Sequence, residues 1–122
     1  MPDAALADLR ILDFSRVLAG PLATMVLADL GATVIKVERP GIGDETRAWG
    51  PPFDPAGQAT YFQAINRNKA NVVLDLGDPS DQARARELAT GADVVVENFR
   101  PGVMARLGLG DEALRTANPG LV

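Results

Sequence analysis

Arginine residues that could bind phosphate recur after short apolar segments of this 122-residue sequence. Arg16, Arg39 and Arg100 each follow a segment that predicts a buried strand, and Arg106 comes one helical turn further on. Ligands collect beyond the carboxyl ends of the strands in an open parallel sheet, so these side chains are expected at one rim. Because arginine binds phosphate through a planar fork of donors, the set favours a phosphate-rich ligand. The alternative interpretation is that each arginine is solvated or pairs with Asp or Glu.

Alternating strands and helices are predicted to position these arginines. Apolar and β-branched runs predict strands over residues 10–14, 33–38, 71–75 and 93–97, with another strand beginning at 121. Helical spacing and capping residues predict helices over residues 21–30, 59–66 and 79–90, with short helical turns at 103–107 and 111–117. Strand–helix–strand units make parallel sheets, so the predicted fold class is α/β, a Rossmann-like parallel sheet with flanking helices. Residues 39–57 are dense in Gly and Pro and predict a loop without regular structure.

Two acidic residues at predicted strand ends have competing interpretations. Glu38 ends the second strand, where an acidic side chain often binds the ribose of NAD. The first turn, however, contains only Gly20 in place of a glycine-rich phosphate loop, so the sequence disfavours NAD. Asp13 could serve as a metal ligand or phosphoryl acceptor, but no second acidic residue accompanies it nearby. A buried, hydrogen-bonded structural Asp13 is therefore the preferred interpretation, and no metal ligand is predicted.

The glycine- and proline-rich loop and the turn before the third strand leave two alternatives open. Trp49 and Phe53 could stack on a base or cover an acyl group, or they could anchor the loop to the body of the domain. The basic stretch 66–69 could be a solvated turn, or it could order the loop over a ligand.

Composition excludes several classes of function. The formal net charge is −4, which opposes non-specific nucleic-acid binding. The sequence contains no Cys and no His, so thiolate chemistry, disulfides and histidine acid–base catalysis are excluded. The start lacks the basic and apolar regions of a signal peptide, and no apolar run approaches the roughly 20 residues that span a bilayer. We therefore expect a cytoplasmic protein that binds neither nucleic acid nor membrane.

Six short segments occur in the order seen in one enzyme family. They are Leu12-Asp-Phe-Ser-Arg-Val-Leu-Ala-Gly-Pro21, Leu30-Gly-Ala-Thr-Val-Ile-Lys-Val-Glu-Arg39, Gly43-Asp-Glu-Thr-Arg47, Asn66-Arg-Asn-Lys69, Leu74-Asp-Leu76 and Ala92-Asp-Val-Val-Val-Glu-Asn-Phe-Arg-Pro-Gly102. Each segment is weakly specific by itself, whereas the ordered set is specific. From about residue 9 to residue 122 the chain resembles the family III CoA-transferases (CaiB/BaiF type), which include formyl-CoA transferase and α-methylacyl-CoA racemase.

The resemblance implies a Rossmann-like large domain, of which residues 1–122 would be the N-terminal and incomplete part. It implies transfer of coenzyme A (CoA) between carboxylic acids through an enzyme aspartate outside this segment, or epimerisation of an acyl-CoA as in the racemase. The substrates would be acyl-CoA and a carboxylic acid acceptor, with no resident cofactor, and the full-length enzyme would form an interlocked homodimer. By similarity, the residues lining the CoA site would be Arg16, Val17, Leu18, Ala19, Arg39, Leu74, Asp75, Leu76, Asn98, Phe99, Arg100 and Arg106.

Two departures from the family pattern limit what the resemblance implies. The formyl-CoA transferases carry His-Val-Gln-Ala in the first turn, whereas this chain carries Arg16-Val-Leu-Ala19, which weakens an assignment to formyl or oxalyl substrates. The nucleophilic aspartate of the transferases and the His/Asp pair of the racemases lie downstream of the matched region. No catalytic residue is therefore assigned, and the segment alone is expected to be inactive. A nucleotide-binding module of another Rossmann-like class and an α/β domain without a ligand remain alternative hypotheses.

Overall fold

Four parallel strands joined by helices make up residues 3–122, the part of the chain that the computed structural model describes. In chain order the elements are β1 (Arg10–Asp13), α1 (Ala19–Asp29), β2 (Thr33–Glu38), a 3-10 helix (Glu45–Ala48), α2 (Thr60–Asn66), β3 (Lys69–Val73), α3 (Pro79–Thr90), β4 (Val94–Val96), α4 (Val103–Arg106) and α5 (Asp111–Ala117). The strands pair in the order β3-β2-β1-β4, and every pairing is parallel. This architecture confirms the predicted α/β class, a Rossmann-like sheet with flanking helices. Of the helices within these residues, none has the length and hydropathy to cross a membrane.

Side chains alternate across the sheet, so each face contributes to a separate core. On one face, Leu12 packs in a cluster with Ala85 of α3, and buried side chains of α4 and α5 extend that cluster. On the other face, Ile11 and Val34 pack with Ala28 of α1. The sheet is therefore covered on both faces, as is usual for parallel strands joined by helical crossovers.

Three differences from the sequence prediction exceed one residue. α1 begins at Ala19 instead of residue 21, because Pro21 falls in the first helical turn, where its missing N–H costs no hydrogen bond. β3 spans Lys69–Val73 instead of 71–75, because it pairs with residues 34–38 and β2 ends there. In the loop predicted to be irregular, Glu45–Ala48 forms a 3-10 helix, which Asp44 caps by accepting the N–H of Thr46 at 3.0 Å.

The strand predicted to begin at residue 121 shows the backbone pairing of a strand at one residue. The N–H of Val122 donates to the carbonyl of Asp93, and the carbonyl of Val122 accepts from the N–H of Val95. These two bonds place Val122 beside β4, on the side opposite β1.

Candidate functional site

A cavity of about 460 Å³ opens at the carboxyl ends of the strands. Its lining comes from the end of β2, from the segment after each strand and from α4 with its C-cap. It consists of Phe14, Arg16, Val37, Arg39, Leu74, Asp75, Leu76, Gly77, Phe99, Arg100, Val103 and Leu107. The lining combines an apolar floor with three guanidinium groups. Open parallel sheets bind their ligands at this end, so the cavity is the candidate site.

The structure brings many of the predicted site residues together in this cavity. The ones that line it are Arg16, Arg39, Leu74, Asp75, Leu76, Phe99 and Arg100. The ones that lie outside its lining are Val17, Leu18, Ala19, Asn98 and Arg106. Arg106 belongs to α4, beside the lining residues, and its guanidinium group lies next to Gly102. The predicted convergence of arginines therefore holds for three of the side chains, whereas Arg106 lies at the margin.

Sequence reasoning missed much of the apolar part of the lining. Phe14 and Val37 line the cavity from the ends of β1 and β2, and Val103 of α4 and Leu107, the residue that caps this helix, complete the apolar part. A signal for Phe14 existed, because strand residues two apart share a face and Phe14 follows Leu12 on the face covered by α3. The positions of Val103 and Leu107 depend on where α4 docks, which local sequence does not determine.

The guanidinium group of Arg16 lies over the ring of Phe99 and is affected by the positive charge of Arg39. The carbon at the centre of its guanidinium group lies 4.8 Å from the centre of the Phe99 ring, in a cation–π contact. Burial lowers the pKa of Arg16, and the charge of Arg39 lowers it further. An anion between two like charges that share a cavity relieves their repulsion. The site can therefore bind a phosphate-bearing ligand over an apolar surface.

The turn that carries Arg16 is held through its backbone. Asn98 accepts the N–H of Arg16 at 3.0 Å and donates to its carbonyl at 2.8 Å, so both polar atoms of the Asn98 side chain bind the turn. Val17 has a φ of 72°, a left-handed conformation that is unusual for a β-branched residue. The resemblance predicts that Asn98 lines the ligand site, whereas the structure places its amide against the turn.

Arg39 is oriented by the loop that follows β2. Its Nε donates to the carbonyl of Gly43 at 3.1 Å. This bond uses the N–H group at Nε. The N–H groups of the two Nη atoms can still donate to a ligand.

Glu38 has its carboxylate fully occupied by the protein. It accepts hydrogen bonds from the N–H of Asp44 at 2.9 Å, from Asn71 at 2.5 Å, and from Arg47 through two bonds of 2.7 Å. Burial would raise the pKa of Glu38, but the bonds from Arg47 and Asp44 outweigh it and keep the pKa below its ordinary value. A carboxylate has about four acceptor positions, so none is left for a ribose hydroxyl. The structure therefore removes the ribose-binding interpretation of Glu38.

Asp13 is a buried structural residue, as the sequence predicts. Its carboxylate accepts from Thr24 Oγ1 at 2.5 Å and from the N–H of Ser15 at 2.9 Å, and Lys69 Nζ lies 3.3 Å from it. The same Nζ donates to the carbonyl of Pro21 at 2.8 Å, so these contacts join β1, β3 and α1. Within residues 3–122, no group of three or more His, Cys, Asp or Glu could hold a metal ion.

The basic stretch 66–69 joins α1 to the sheet, which differs from both interpretations of its sequence. Arg67 and Asn68 bind the carboxylate of Asp29 at 2.6 and 2.8 Å. Lys69 is buried against Asp13 and also donates to Asn66 Oδ1 at 3.0 Å. The stretch is therefore part of the framework that fixes α1.

Trp49 and Phe53 lie outside the lining of the cavity and are 46% and 47% exposed. The Trp49 ring meets Tyr61 of α2 edge-on, with ring centres 5.3 Å apart, and the Phe53 ring contacts Gly50. These contacts within the loop and with α2 favour the anchoring interpretation of the two aromatic side chains.

Comparisons with known proteins lead to one enzyme family. A family model described as CoA-transferase family III matches residues 6–122. The chain is 51% identical over 117 residues to succinyl-CoA:glutarate CoA-transferase of Mus musculus, covering 96% of this chain and 27% of that protein. It is 46% identical over 121 residues to acetyl-CoA:oxalate CoA-transferase of Acetobacter aceti, covering 99% of this chain and 31% of that protein.

Solved structures of related proteins have the same fold over this region. A CaiB/BaiF family protein from Brucella suis matches with a TM-score of 0.93 and 44% identity, covering 98% of this chain and 32% of that one. The protein Rv3272 from Mycobacterium tuberculosis matches with a TM-score of 0.88 and 47% identity, again over 98% of this chain and 32% of that one. The chain thus spans about a third or less of the length of the proteins that it matches.

Proposed function

This chain belongs to CoA-transferase family III, and we propose that it supplies the CoA site of an enzyme that moves CoA from an acyl-CoA to a carboxylic acid. The observation that carries the proposal is the convergence of Arg16, Arg39 and Arg100 on one cavity at the carboxyl ends of the strands. These arginines follow three different strands, and their charges favour a ligand with several phosphate oxygens.

Coenzyme A matches the two kinds of surface in the cavity. Its pyrophosphate and its 3′-phosphate are anionic, and the rim arginines would donate to them. Its adenine is flat and largely apolar on its faces, and the floor that includes Leu74, Leu76 and Phe99 would pack against it. The residues of this chain would therefore hold and orient the carrier while its acyl group is exchanged.

The carboxylic acid acceptor is proposed from the names of the relatives. Those names specify glutarate, oxalate and, for a protein of Haloarcula hispanica that is 51% identical to this chain, mesaconate. All three are dicarboxylic acids, so we propose a dicarboxylic acid as the acceptor and a succinyl or similar short acyl thioester as the donor. The aspartate nucleophile, the interlocked homodimer and the cytoplasmic location remain predictions.

Ligand titration separates this function from the alternatives. Calorimetry with CoA, with CoA lacking its 3′-phosphate and with NAD is expected to show binding in that order of strength. Arg39→Gln removes a charged donor, worth about 1.5–3 kcal/mol, so the CoA dissociation constant should rise about tenfold to a hundredfold. The matched control is Arg84→Gln, because Arg84 is an exposed arginine of α3 that pairs with Glu87. Equal losses of CoA affinity in Arg39→Gln and Arg84→Gln would contradict the proposed site.

The choice between chemistries needs a turnover measurement. With the full-length enzyme, formation of a new acyl-CoA from succinyl-CoA and glutarate would support transfer, whereas epimerisation of a 2-methylacyl-CoA would support the racemase alternative. In the calorimetric titration, tighter binding of NAD than of CoA would favour a nucleotide-binding module. Absence of binding by CoA, by CoA lacking its 3′-phosphate and by NAD would favour a domain without a ligand.

A further inference from the structure

A buried ion pair lies behind the turn that carries Arg16. Lys36 Nζ and Asp44 Oδ2 are 2.9 Å apart, and their side chains are 2% and 0% exposed. Lys36 comes from the middle of β2, whereas Asp44 belongs to the loop that follows that strand. Burial would raise the pKa of Asp44, but hydrogen bonds from Thr46 and Lys36 outweigh it and keep the pKa low. The carboxylate of Asp44 is therefore ionised within the protein at neutral pH.

Both members of the pair also bind the backbone of the turn. Lys36 Nζ donates to the carbonyl of Ser15 at 2.9 Å. Asp44 Oδ2 accepts the N–H of Val17 at 3.3 Å, and its other oxygen accepts the N–H of Thr46 at 3.0 Å. The two charges therefore bind the peptide groups on either side of Arg16.

We propose that the Lys36–Asp44 pair is a positioning element of the CoA site, which fixes the turn around Arg16 so that its guanidinium group faces the cavity. The inference rests on the proposed function, because it assigns the pair a role in binding CoA. Neither Lys36 nor Asp44 belongs to the lining of the cavity, so both act through Arg16.

The conformation of Val17 is the reason that the turn needs this support. A β-branched residue is strained at a φ of 72°, and such strain persists only where the surroundings impose it. Asn98 binds the N–H and the carbonyl of Arg16 but makes no bond to the N–H of Val17, which Asp44 accepts. Loss of Asp44 would therefore let Val17 relax and change the direction of the neighbouring Arg16.

A buried ion pair by itself contributes little to the free energy of unfolding. A variant that lacks both charges can therefore test the positioning of Arg16 separately from the stability of the fold. Lys36→Met or Asp44→Asn alone leaves one charge buried without its counter-ion and is expected to unfold easily. The double variant Lys36→Met/Asp44→Asn removes both charges and should fold. Its Asn amide would present a donor where Oδ2 accepts the N–H of Val17. We expect its CoA dissociation constant to rise about tenfold while its Tm stays close to that of the unchanged protein.

A thermodynamic cycle tests whether this loss passes through Arg16. In an Arg16→Gln background, the double variant should cause less than a twofold further loss of CoA affinity, because the side chain that it misdirects is absent. The matched control is Asp29→Asn/Arg67→Met, which removes the exposed pair between α1 and the stretch 66–69. That control should bind CoA as the unchanged protein does. An equal loss with and without Arg16 would overturn the proposal.

Amide hydrogen exchange of Val17 tests the positioning without any ligand. In the unchanged protein, the N–H of Val17 should exchange at least tenfold more slowly than an unstructured amide, and the double variant should remove most of this protection. Absence of protection in the unchanged protein would overturn the inference even where no variant folds. If the unchanged protein fails to bind CoA but Val17 is protected by Asp44, the proposed function is wrong and the pair holds the turn for another ligand.

Discussion

Gly43 and Gly41 offer a matched pair of substitutions in the loop after β2. Both residues have a left-handed backbone, with φ of 66° and 76°. A methyl group on Gly41 would meet no atom of residues 3–122 within 4 Å, whereas one on Gly43 would overlap Glu38 Oε2 and lie 3.0 Å from Arg47 Cδ. The two alanine variants therefore share the backbone penalty and differ in the effect on the Glu38–Arg47 pair.

The two penalties can be worked out separately. An alanine in the left-handed region costs about 1–2 kcal/mol, which is the whole expected effect of Gly41→Ala. In Gly43→Ala the carboxylate of Glu38 must also move, which weakens its hydrogen bonds from the N–H of Asp44 and from Arg47 Nε. Hydrogen bonds to charged groups contribute about 1.5–3 kcal/mol each, but Arg47 is 39% exposed and water replaces part of its bond. We therefore expect Gly43→Ala to cost about 3–5 kcal/mol in total, or about 2–3 kcal/mol more than Gly41→Ala.

Urea unfolding followed by far-ultraviolet circular dichroism measures this difference in the free energy of unfolding. Gly43→Ala should also weaken CoA binding, because the carbonyl of Gly43 orients Arg39. Gly41→Ala should leave the CoA affinity within about twofold of the original value. Losses of stability that agree within about 0.5 kcal/mol would refute the reasoning, since the buried carboxylate would then tolerate the added methyl group.

The remaining predictions concern acid stability and helix capping. Because the pKa of Glu38 is lowered in the folded protein, the folded protein binds fewer protons at this residue than the unfolded chain does. The ionised Glu38 therefore stabilises the fold fully above about pH 4.3, and this stabilisation is lost as the pH falls through the pKa that Glu38 has in the folded protein. Glu38→Gln should lower stability at pH 7 and flatten its decline between pH 5 and pH 2, as seen by unfolding at each pH; an unchanged slope would contradict this. Asp78 accepts the N–H groups of Ser80 and Asp81 at the start of α3, so Asp78→Ala should cost about 1 kcal/mol, and Asp78→Asn should recover most of it. Equal urea midpoints for the two Asp78 variants would show that the cap contributes little.

The sheet and the rim of the site could be predicted because their signals are local. Apolar β-branched runs identified four strands, and helical crossovers fixed their parallel direction. From this order alone, Arg16, Arg39 and Arg100 were expected at one edge, and the structure places them around one cavity. Arg106 does not line the cavity, because the direction of its side chain depends on the docking of α4. The end of β3 was mispredicted, because apolar residues continue beyond Val73.

The buried charges could not be predicted with the same ease. In β2 the alternation of residues places Lys36 between Val34 and Glu38 on one face, a pattern that also describes a solvated face. A central strand of a parallel sheet covered on both faces has no solvated face, so Lys36 required a counter-ion. The sequence did not reveal that this counter-ion was Asp44, because the loop that carries it has no periodic pattern.

The pairing of these buried charges explains how an acidic chain can present a cationic site. Three carboxylates near the strand ends are paired inside the protein: Asp13 with Lys69, Glu38 with Arg47, and Asp44 with Lys36. Across residues 3–122, every buried side-chain nitrogen and oxygen has a hydrogen-bond partner.

An unpaired carboxylate at the rim would compete with the ligand for the arginines, because a bidentate Arg–carboxylate pair uses the donors that phosphate needs. Asp75 is the acidic member of the described lining, and its Oδ1 accepts the N–H of Gly77 at 2.9 Å. The net charge of −4 therefore says little about the cavity itself. What matters is that Asp13, Glu38 and Asp44 pair with Lys69, Arg47 and Lys36, and that the ion pairs of the structure include none of Arg16, Arg39 and Arg100 within residues 3–122.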